Sequence, residues 1–106
     1  MNDKMAWKVI ISDEATEIFK GKALSGDDLE TIQTWAKTVV KYGPEKLQEQ
    51  PHKWADHPLF GEWAGHRSSS FSYKGRIVYT VEAQVVTVMV VRITADHDYR
   101  KRRSNA

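Results

Sequence analysis

Two short stretches of this sequence concentrate polar, reactive side chains. The first is "HPLFGEWAGHR", residues 57–67, which holds two histidines and an arginine and runs on into three serines. The second is "TADHDYR", residues 94–100, which holds His97, Tyr99 and Arg100. Histidine can take up or release a proton near neutral pH, and arginine stays charged and binds phosphate oxygens with two parallel donors. These residue types are suited to chemistry at a phosphodiester.

RNA is the simplest substrate for such a set, because its 2′-hydroxyl is a built-in nucleophile. A protein then has to orient that hydroxyl, stabilise the charge that develops on phosphorus and protonate the leaving oxygen. No serine nucleophile is needed, and no Gly-x-Ser-x-Gly elbow surrounds Ser68 to Ser70. The four histidines match no zinc-site spacing and cysteine is absent, so we expect neither a metal nor another cofactor.

Length and composition indicate a single domain covering residues 1–106. The sequence lacks a run of apolar residues long enough to span a membrane, and its first ten residues carry charges where a signal peptide would be apolar. We therefore expect a cytoplasmic protein with no membrane partner. Residues 51–106 contain nine basic and five acidic side chains, ending in a basic tail over about 100–106. That tail suits a polyanion, but it could equally be a solvated chain end.

Periodicity in the first half predicts a strand followed by a helical hairpin. "WKVIIS", Trp7 to Ser12, is short and β-branched, which indicates a buried strand. Ser12 is placed to cap a first helix that ends at Gly21. Ser25 and Asp28 have the spacing of a capping box for a second helix, which Gly43-Pro44 ends. Residues 44–58 give a weak signal, with at most one helical turn.

The second half changes to the period of strands. "GHRSSSFSY", "GRIVYTVE" and "QVVTVMVVRIT" predict three consecutive strands, the last of them central because it is apolar on both faces. The order β-α-α-β-β-β predicts an α+β fold, with a small, mainly antiparallel four-stranded sheet and the helical hairpin packed on one face. The expected core is Trp7, Ile18, Phe19, Ile32, Trp35, Val39, Ile77, Tyr79, Val81, Val88 and Val90.

Spacing alone leaves the roles of several residues open. His66 can be a simple sheet-face residue, and His57, which precedes a proline, can be a loop residue that caps a helix end. Tyr79 alternates with Ile77 and Val81, which favours a place in the core over catalysis. The hairpins of a short meander bring strand ends together, so the two polar stretches can meet around Arg76.

Several motifs of the sequence resemble those of a known protein family. The element order, "GRIVYTVE", the valine-rich strand after it and the terminal His/Tyr cluster resemble the RelE/ParE superfamily of bacterial toxins, from Trp7 to about Arg100. The stretch "DHPLFGEWAGHR", Asp56 to Arg67, is similar to the Asp-His-x-Leu-x-Gly-x-Trp-x-Gly-x-Arg pattern of the YafQ-like branch of mRNA-cleaving toxins. Several residues agree at fixed spacing without gaps.

The resemblance implies a catalytic set, and we expect further residues around that set to bind RNA. His57 and His97 match catalytic positions of the branch, Arg76 matches the arginine that RelE-type members place on the phosphate, and Tyr99 falls near their terminal catalytic tyrosine. The residues expected to bind RNA are Arg67, Ser70, Lys74 and Arg100. The sequence departs from the branch at two of these positions, since Ser70 replaces a strand histidine and Lys74 replaces a hairpin aspartate.

The resemblance also implies partners and an activity. Members of the superfamily cleave mRNA in the ribosomal A site without a metal, and a cognate antitoxin wraps and inactivates them. We therefore expect a toxin–antitoxin toxin that is an endoribonuclease. Two alternatives of the same fold stay open: a ParE-like DNA gyrase poison and a non-catalytic binding module.

Overall fold

The computed structural model describes residues 6–93. It consists of four helices and five strands, with a 3₁₀ turn over Gly61–Trp63. In chain order the elements are β1 (Lys8–Ile11), α1 (Asp13–Lys20), α2 (Gly26–Tyr42), α3 (Glu45–Gln48), α4 (Pro51–Trp54), β2 (His57–Pro58), β3 (Arg67–Ser70), β4 (Gly75–Glu82) and β5 (Val85–Ile93). Three of the predicted site residues, His97, Tyr99 and Arg100, lie outside the described residues.

The two long helices begin at the caps that the sequence predicts. The Ser12 side chain accepts a hydrogen bond from the Ala15 amide at the start of α1, and Ser25 and Asp28 form a reciprocal capping box at the start of α2. Helix α2 ends at Gly43, whose φ of 90° suits glycine. A Cβ at that glycine would lie 2.7 Å from the Trp7 indole nitrogen, so the close approach of the chain to Trp7 also requires glycine.

The five strands form one mixed sheet in the order β1-β5-β4-β3-β2. β1 runs parallel to β5, and all the other pairs are antiparallel. The predicted α+β class, the mainly antiparallel sheet and the central place of the last strand are confirmed. The predicted number of four strands is wrong, because His57 and Pro58 add a two-residue edge strand in a segment that the sequence indicates only as loop. That segment also folds into two short helices, α3 and α4.

A bulge in β5 joins the sheet to the first helix. Tyr79 pairs with Val88 and Val78 pairs with Val90, so Met89 has no partner opposite it in β4. The Ser12 hydroxyl donates to the Met89 carbonyl at 2.7 Å, and the Ser12 amide donates to the Val88 carbonyl at 2.9 Å. One serine therefore caps α1, continues β1 and satisfies the bulged carbonyl.

The hydrophobic core lies between the sheet and the helices. Trp35 and Val39 of α2 pack there with Ile77, Tyr79 and Val88 of the sheet, and each of these side chains is buried. Two expectations fail at the sheet margin. Val81 is 41% exposed, and β1 is an edge strand whose Ile10 is 49% exposed, because one side of β1 has no neighbouring strand.

Alternation along the strands gives the sheet two distinct faces. Residues Ser69, Ile77, Tyr79 and Val91 point to the helices, and we call this side the helical face. The opposite side, which we call the open face, carries His57, Ser68, Ser70, Arg76, Val78, Val90 and Arg92. Within residues 6–93, no helix is long and apolar enough to cross a membrane.

Candidate active site on the open face

Two rows of cross-strand partners form the candidate site. The first row runs from the exposed His57 through Ser68 and Val78 to Val90, and these last three residues are buried. The second row, two residues further along the strands, consists of Ser70, Arg76 and Arg92. Directly paired residues project from the same face of a sheet. The strand register thus places His57 of the first polar stretch on the same face as Arg76 of β4 and Arg92 of β5.

His57 is exposed at the outer edge of this surface. Its Nδ1 lies 3.0 Å from the Pro58 carbonyl oxygen. A carbonyl only accepts, so this contact is a hydrogen bond when Nδ1 carries the proton. In that tautomer Nε2 is the acceptor and is directed away from the backbone contact, which suits a general base.

Arg76 and Arg92 are direct partners in the antiparallel pair of β4 and β5. Both are exposed, and the Arg76 guanidinium donates one weak hydrogen bond, 3.4 Å long, to the Ser70 hydroxyl. Among the residues described, neither arginine has a carboxylate partner. Like charges opposite each other destabilise a sheet. An anion bound between the two arginines would relieve this repulsion, and a phosphodiester fits such a position.

The loop between β2 and β3 approaches the same face. Its 3₁₀ turn places the Trp63 ring 5.9 Å from the Arg92 guanidinium and 5.1 Å from the His66 ring, in an edge-on arrangement with the latter. Within residues 6–93, the His66 Nδ1 and the Ser68 hydroxyl are buried without a hydrogen-bond partner. Such atoms are uncommon in protein interiors, and both lie at the start of β3 beside the His57 edge.

A buried polar network supports the opposite side of the His57 edge. The Asp56 side chain is completely covered, and its carboxylate accepts hydrogen bonds from Arg67 Nε at 2.7 Å, the Ser69 hydroxyl at 2.6 Å and the Tyr79 hydroxyl at 2.5 Å. Trp35 Nε1 in turn donates to the Ser69 hydroxyl at 2.9 Å. We call these five residues the Asp56 network. It joins α2, β3 and β4 to the residue that precedes β2.

The network changes the acid–base properties of two members. Burial, and then the hydrogen bond and charge of Asp56, raise the pKa of Tyr79 far above its ordinary value. For Arg67, burial by itself lowers the pKa, but the hydrogen bond and charge of Asp56 outweigh it and raise the pKa overall. Tyr79 is therefore a neutral donor and Arg67 a fixed cation throughout the physiological range.

The structure separates the predicted site residues into two groups. His57, Ser70 and Arg76 share the open face, and Lys74 is exposed in the turn that precedes Arg76. Arg67 instead donates to Asp56 and belongs to the network on the helical side. Tyr79 is buried as predicted, although it also has a polar role.

Asp56 and Arg92 are not among the site residues predicted from the sequence. The available signal for Asp56 was its position at the start of the 56–67 motif. Its three donors lie 11, 13 and 23 residues away, and only the strand register brings them together. Among the residues described, no cluster of three His, Asp or Glu side chains could hold a metal ion.

Comparison with known proteins identifies the fold. No family model and no curated protein matches the sequence. Among solved structures, YafQ from E. coli strain BL21(DE3) superposes with a TM-score of 0.68 at 14% identity, covering 86% of this chain and 97% of that one. The YoeB dimer structure from Staphylococcus aureus gives a TM-score of 0.66 at 18% identity, covering 85% and 99%. The E. coli DinJ-YafQ toxin-antitoxin complex gives a TM-score of 0.65 at 15% sequence identity, covering 83% of this chain and 92% of that one. The chain thus has the RelE/ParE-like fold of YafQ- and YoeB-type toxins.

Proposed function

We propose that this protein is the toxin of a toxin–antitoxin pair and that it inhibits translation as an endoribonuclease on mRNA. The observation that carries the proposal is the joint presence of His57, Arg76 and Arg92 on the open face of a toxin-type fold. A proton-transfer group and a phosphate-binding pair supply two of the functions that RNA cleavage by its own 2′-hydroxyl requires.

In the proposed reaction the 2′-oxygen bonds to the adjacent phosphorus as its proton passes to a base, and the bond from phosphorus to the 5′-oxygen of the next nucleotide breaks as that oxygen receives a proton from an acid. A 2′,3′-cyclic phosphate is left on the upstream fragment and a 5′-hydroxyl on the downstream fragment. Arg76, with Arg92 beside it, binds the phosphate oxygens and stabilises the charge that builds up on them. His57 takes part in proton transfer, with Nε2 as the reacting nitrogen. The reaction needs no metal in this scheme, because the substrate supplies the nucleophile and the arginines supply the positive charge.

We include His97 and Tyr99 in the site as the second proton-transfer group and its assistant. Both lie beyond the described residues. The support is the last described residue of β5: Ile93 pairs with Gly75, the neighbour of Arg76. Arg100 and Lys74 are proposed to bind RNA further along the backbone, and Ser70 to orient Arg76. For Arg67 we propose a structural role in the Asp56 network instead of an RNA contact.

The proposed partners are mRNA on the ribosome, at the A site, and a cognate antitoxin. One structure of the same fold is a toxin–antitoxin complex, that of DinJ with YafQ. The excess of basic residues over 51–106 favours an acidic antitoxin segment on the open face. Such a segment would cover Arg76 and Arg92 and block substrate access.

The experiment is a comparison of two activities of the purified protein. It is incubated with ribosomes that carry a defined message, and separately with DNA gyrase and relaxed plasmid. We expect cleavage of the message at defined sites and unchanged supercoiling. Inhibition of supercoiling without cleavage would support the ParE-like alternative, and the absence of both activities would support a non-catalytic binding module.

A further inference from the structure

His57 sits on the weakest element of the sheet. β2 consists of His57 and Pro58 alone, and its one strand neighbour is β3. A two-residue edge strand has too few ladder hydrogen bonds to hold its own position. Something else has to fix the direction of the histidine, because a displacement of about 1 Å at a reacting group can reduce a rate 100-fold.

Asp56, the residue immediately before this strand, is held far more firmly. Its carboxylate is completely buried and receives three hydrogen bonds, two from side chains of β3 and one from a side chain of β4. Buried charge-assisted hydrogen bonds are short and directional. The lengths of 2.5–2.7 Å agree with that description. The carboxylate therefore ties the backbone at residue 56 to the two neighbouring strands.

The opposite orientation of Asp56 and His57 follows from strand alternation. Asp56 points to the helical face, where Ser69 and Tyr79 donate to it, so the next side chain must point to the open face. The residue on the other side, Ala55, has a left-handed φ of 46° and ends helix α4 after the buried Trp54. The entry to β2 is thus fixed between two buried side chains, Trp54 and Asp56.

We infer that Asp56 is the positioning residue for His57: the Asp56 network fixes the strand entry from the helical face, and so directs the histidine toward the phosphate site on the open face. Asp56 does not touch the substrate in this arrangement and acts through the backbone. The expected effect of Asp56 on cleavage rests on the proposed function, whereas its effect on the position of the His57 ring does not.

Two variants separate positioning from charge. Asp56→Ala removes every acceptor of the network. Asp56→Asn keeps the shape, and its amide can still accept from Arg67 while it donates to the Ser69 and Tyr79 hydroxyls, which can accept as well as donate. Glu62→Gln, an exposed acidic residue in the adjacent loop, is the matched control for the loss of a carboxylate.

The readouts are the NMR signals of the His57 ring, assigned by their loss in His57→Gln, and the kcat and KM of message cleavage. We expect Asp56→Ala to shift the His57 ring signals and to lower kcat about 100-fold, with a smaller change in KM. Asp56→Asn should keep the His57 ring signals and kcat close to those of the parent, and Glu62→Gln should match the parent in both. If Asp56→Ala does not fold, Tyr79→Phe removes one donor and should shift the same signals more weakly.

Parent-like His57 signals in folded Asp56→Ala would overturn the inference. So would an Asp56→Asn that cleaves as poorly as Asp56→Ala with normal His57 signals, because the carboxylate charge itself would then be what matters. If the parent does not cleave RNA but the His57 signals still depend on Asp56, the proposed function fails and the geometric inference stands.

Discussion

At the scale of single residues, neighbours in sequence have opposite tasks. Asp56 is buried and accepts three hydrogen bonds, whereas His57 is exposed on the face where the arginines lie. Burying a carboxylate is costly unless it is fully hydrogen-bonded, so the network has to be complete to be tolerated. The same completeness makes the network sensitive to the protonation state of its members.

Tyr79 gives a test of the network through pH. Because its pKa is raised in the folded protein, the unfolded chain loses the phenolic proton first as pH rises above about 10. The stability that Tyr79 contributes is therefore fully present at neutral pH, and it declines as the pH rises above about 10. We expect Tyr79→Phe to be less stable than the parent at neutral pH and the difference to shrink at alkaline pH, measured by urea unfolding.

The control for this measurement is Tyr73→Phe, since Tyr73 is 89% exposed. It should track the parent at every pH. A stability difference between the parent and Tyr79→Phe that stays constant from neutral to strongly alkaline pH would contradict the assignment of Tyr79 as a hydroxyl donor to Asp56.

Which residues could be predicted depended on whether their role is local. The caps at Ser12 and Ser25 were predictable because their partners lie three residues away. The 56–67 motif gave His57 through resemblance. The binding of Asp56 by Arg67, Ser69 and Tyr79 was not predictable, because it depends on strand register and on the helical packing of Trp35.

At the scale of elements, the β3–β4 turn sets the position of Arg76, which we propose binds the phosphate. It aligns Ser70 with Arg76, and the Phe71 amide donates to the Gly75 carbonyl at 3.0 Å to close it. Gly75 faces the helical side, where a Cβ would lie 2.2 Å from the buried Phe71 ring. The turn is therefore built around the absence of a side chain at Gly75.

Gly75→Ala should accordingly destabilise the protein by about 1–3 kcal/mol, as an overpacked site does. Gly26→Ala is the matched control, because nothing lies within 4 Å of a Cβ at Gly26 and the change there should be neutral or stabilising by up to about 1 kcal/mol. The measurement is urea unfolding of both variants. Equal stabilities would show that Phe71 can move without cost and that the turn is not built as described.

The elements show where sequence patterns fail. The α2 helix and the β4 strand have clear periodicity and β5 is an almost continuous apolar run, and all three were predicted. β2, α3 and α4 are too short to show a period, and they form through contacts such as the burial of Leu47 and Trp54. The exposure of β1 and Val81 was missed because an apolar pattern does not distinguish an edge strand from a central one.

At the scale of the whole molecule, the helices and the basic pair Arg76 and Arg92 lie on opposite faces of the sheet. The helices cover one face of the sheet, and the arginines with the adjacent Lys74 leave a basic surface at one end of the other face. A surface of this kind attracts a polyanion over a range limited by salt screening. Binding of a ribosome-bound message should therefore weaken as salt rises.

Lys74→Ala tests this electrostatic account. We expect it to raise the KM for a ribosome-bound message, to leave kcat nearly unchanged and to reduce the dependence of KM on salt. Lys37→Ala, on the exposed side of α2, is the control and should behave like the parent. Identical salt dependence in the parent and Lys74→Ala would exclude Lys74 from the RNA-binding surface.

On the proposed function, the open face cleaves RNA by means of His57 and Arg76. The most direct test is the single-turnover rate of cleavage of one ribosome-bound message by the parent, His57→Ala and Arg76→Ala. Loss of an acid–base group costs about 10²–10⁴ in rate, and loss of a charge-stabilising donor about 10²–10³. We predict reductions in these ranges, with upstream fragments from the parent that end in a cyclic phosphate. Parent-like cleavage by both variants would contradict the account.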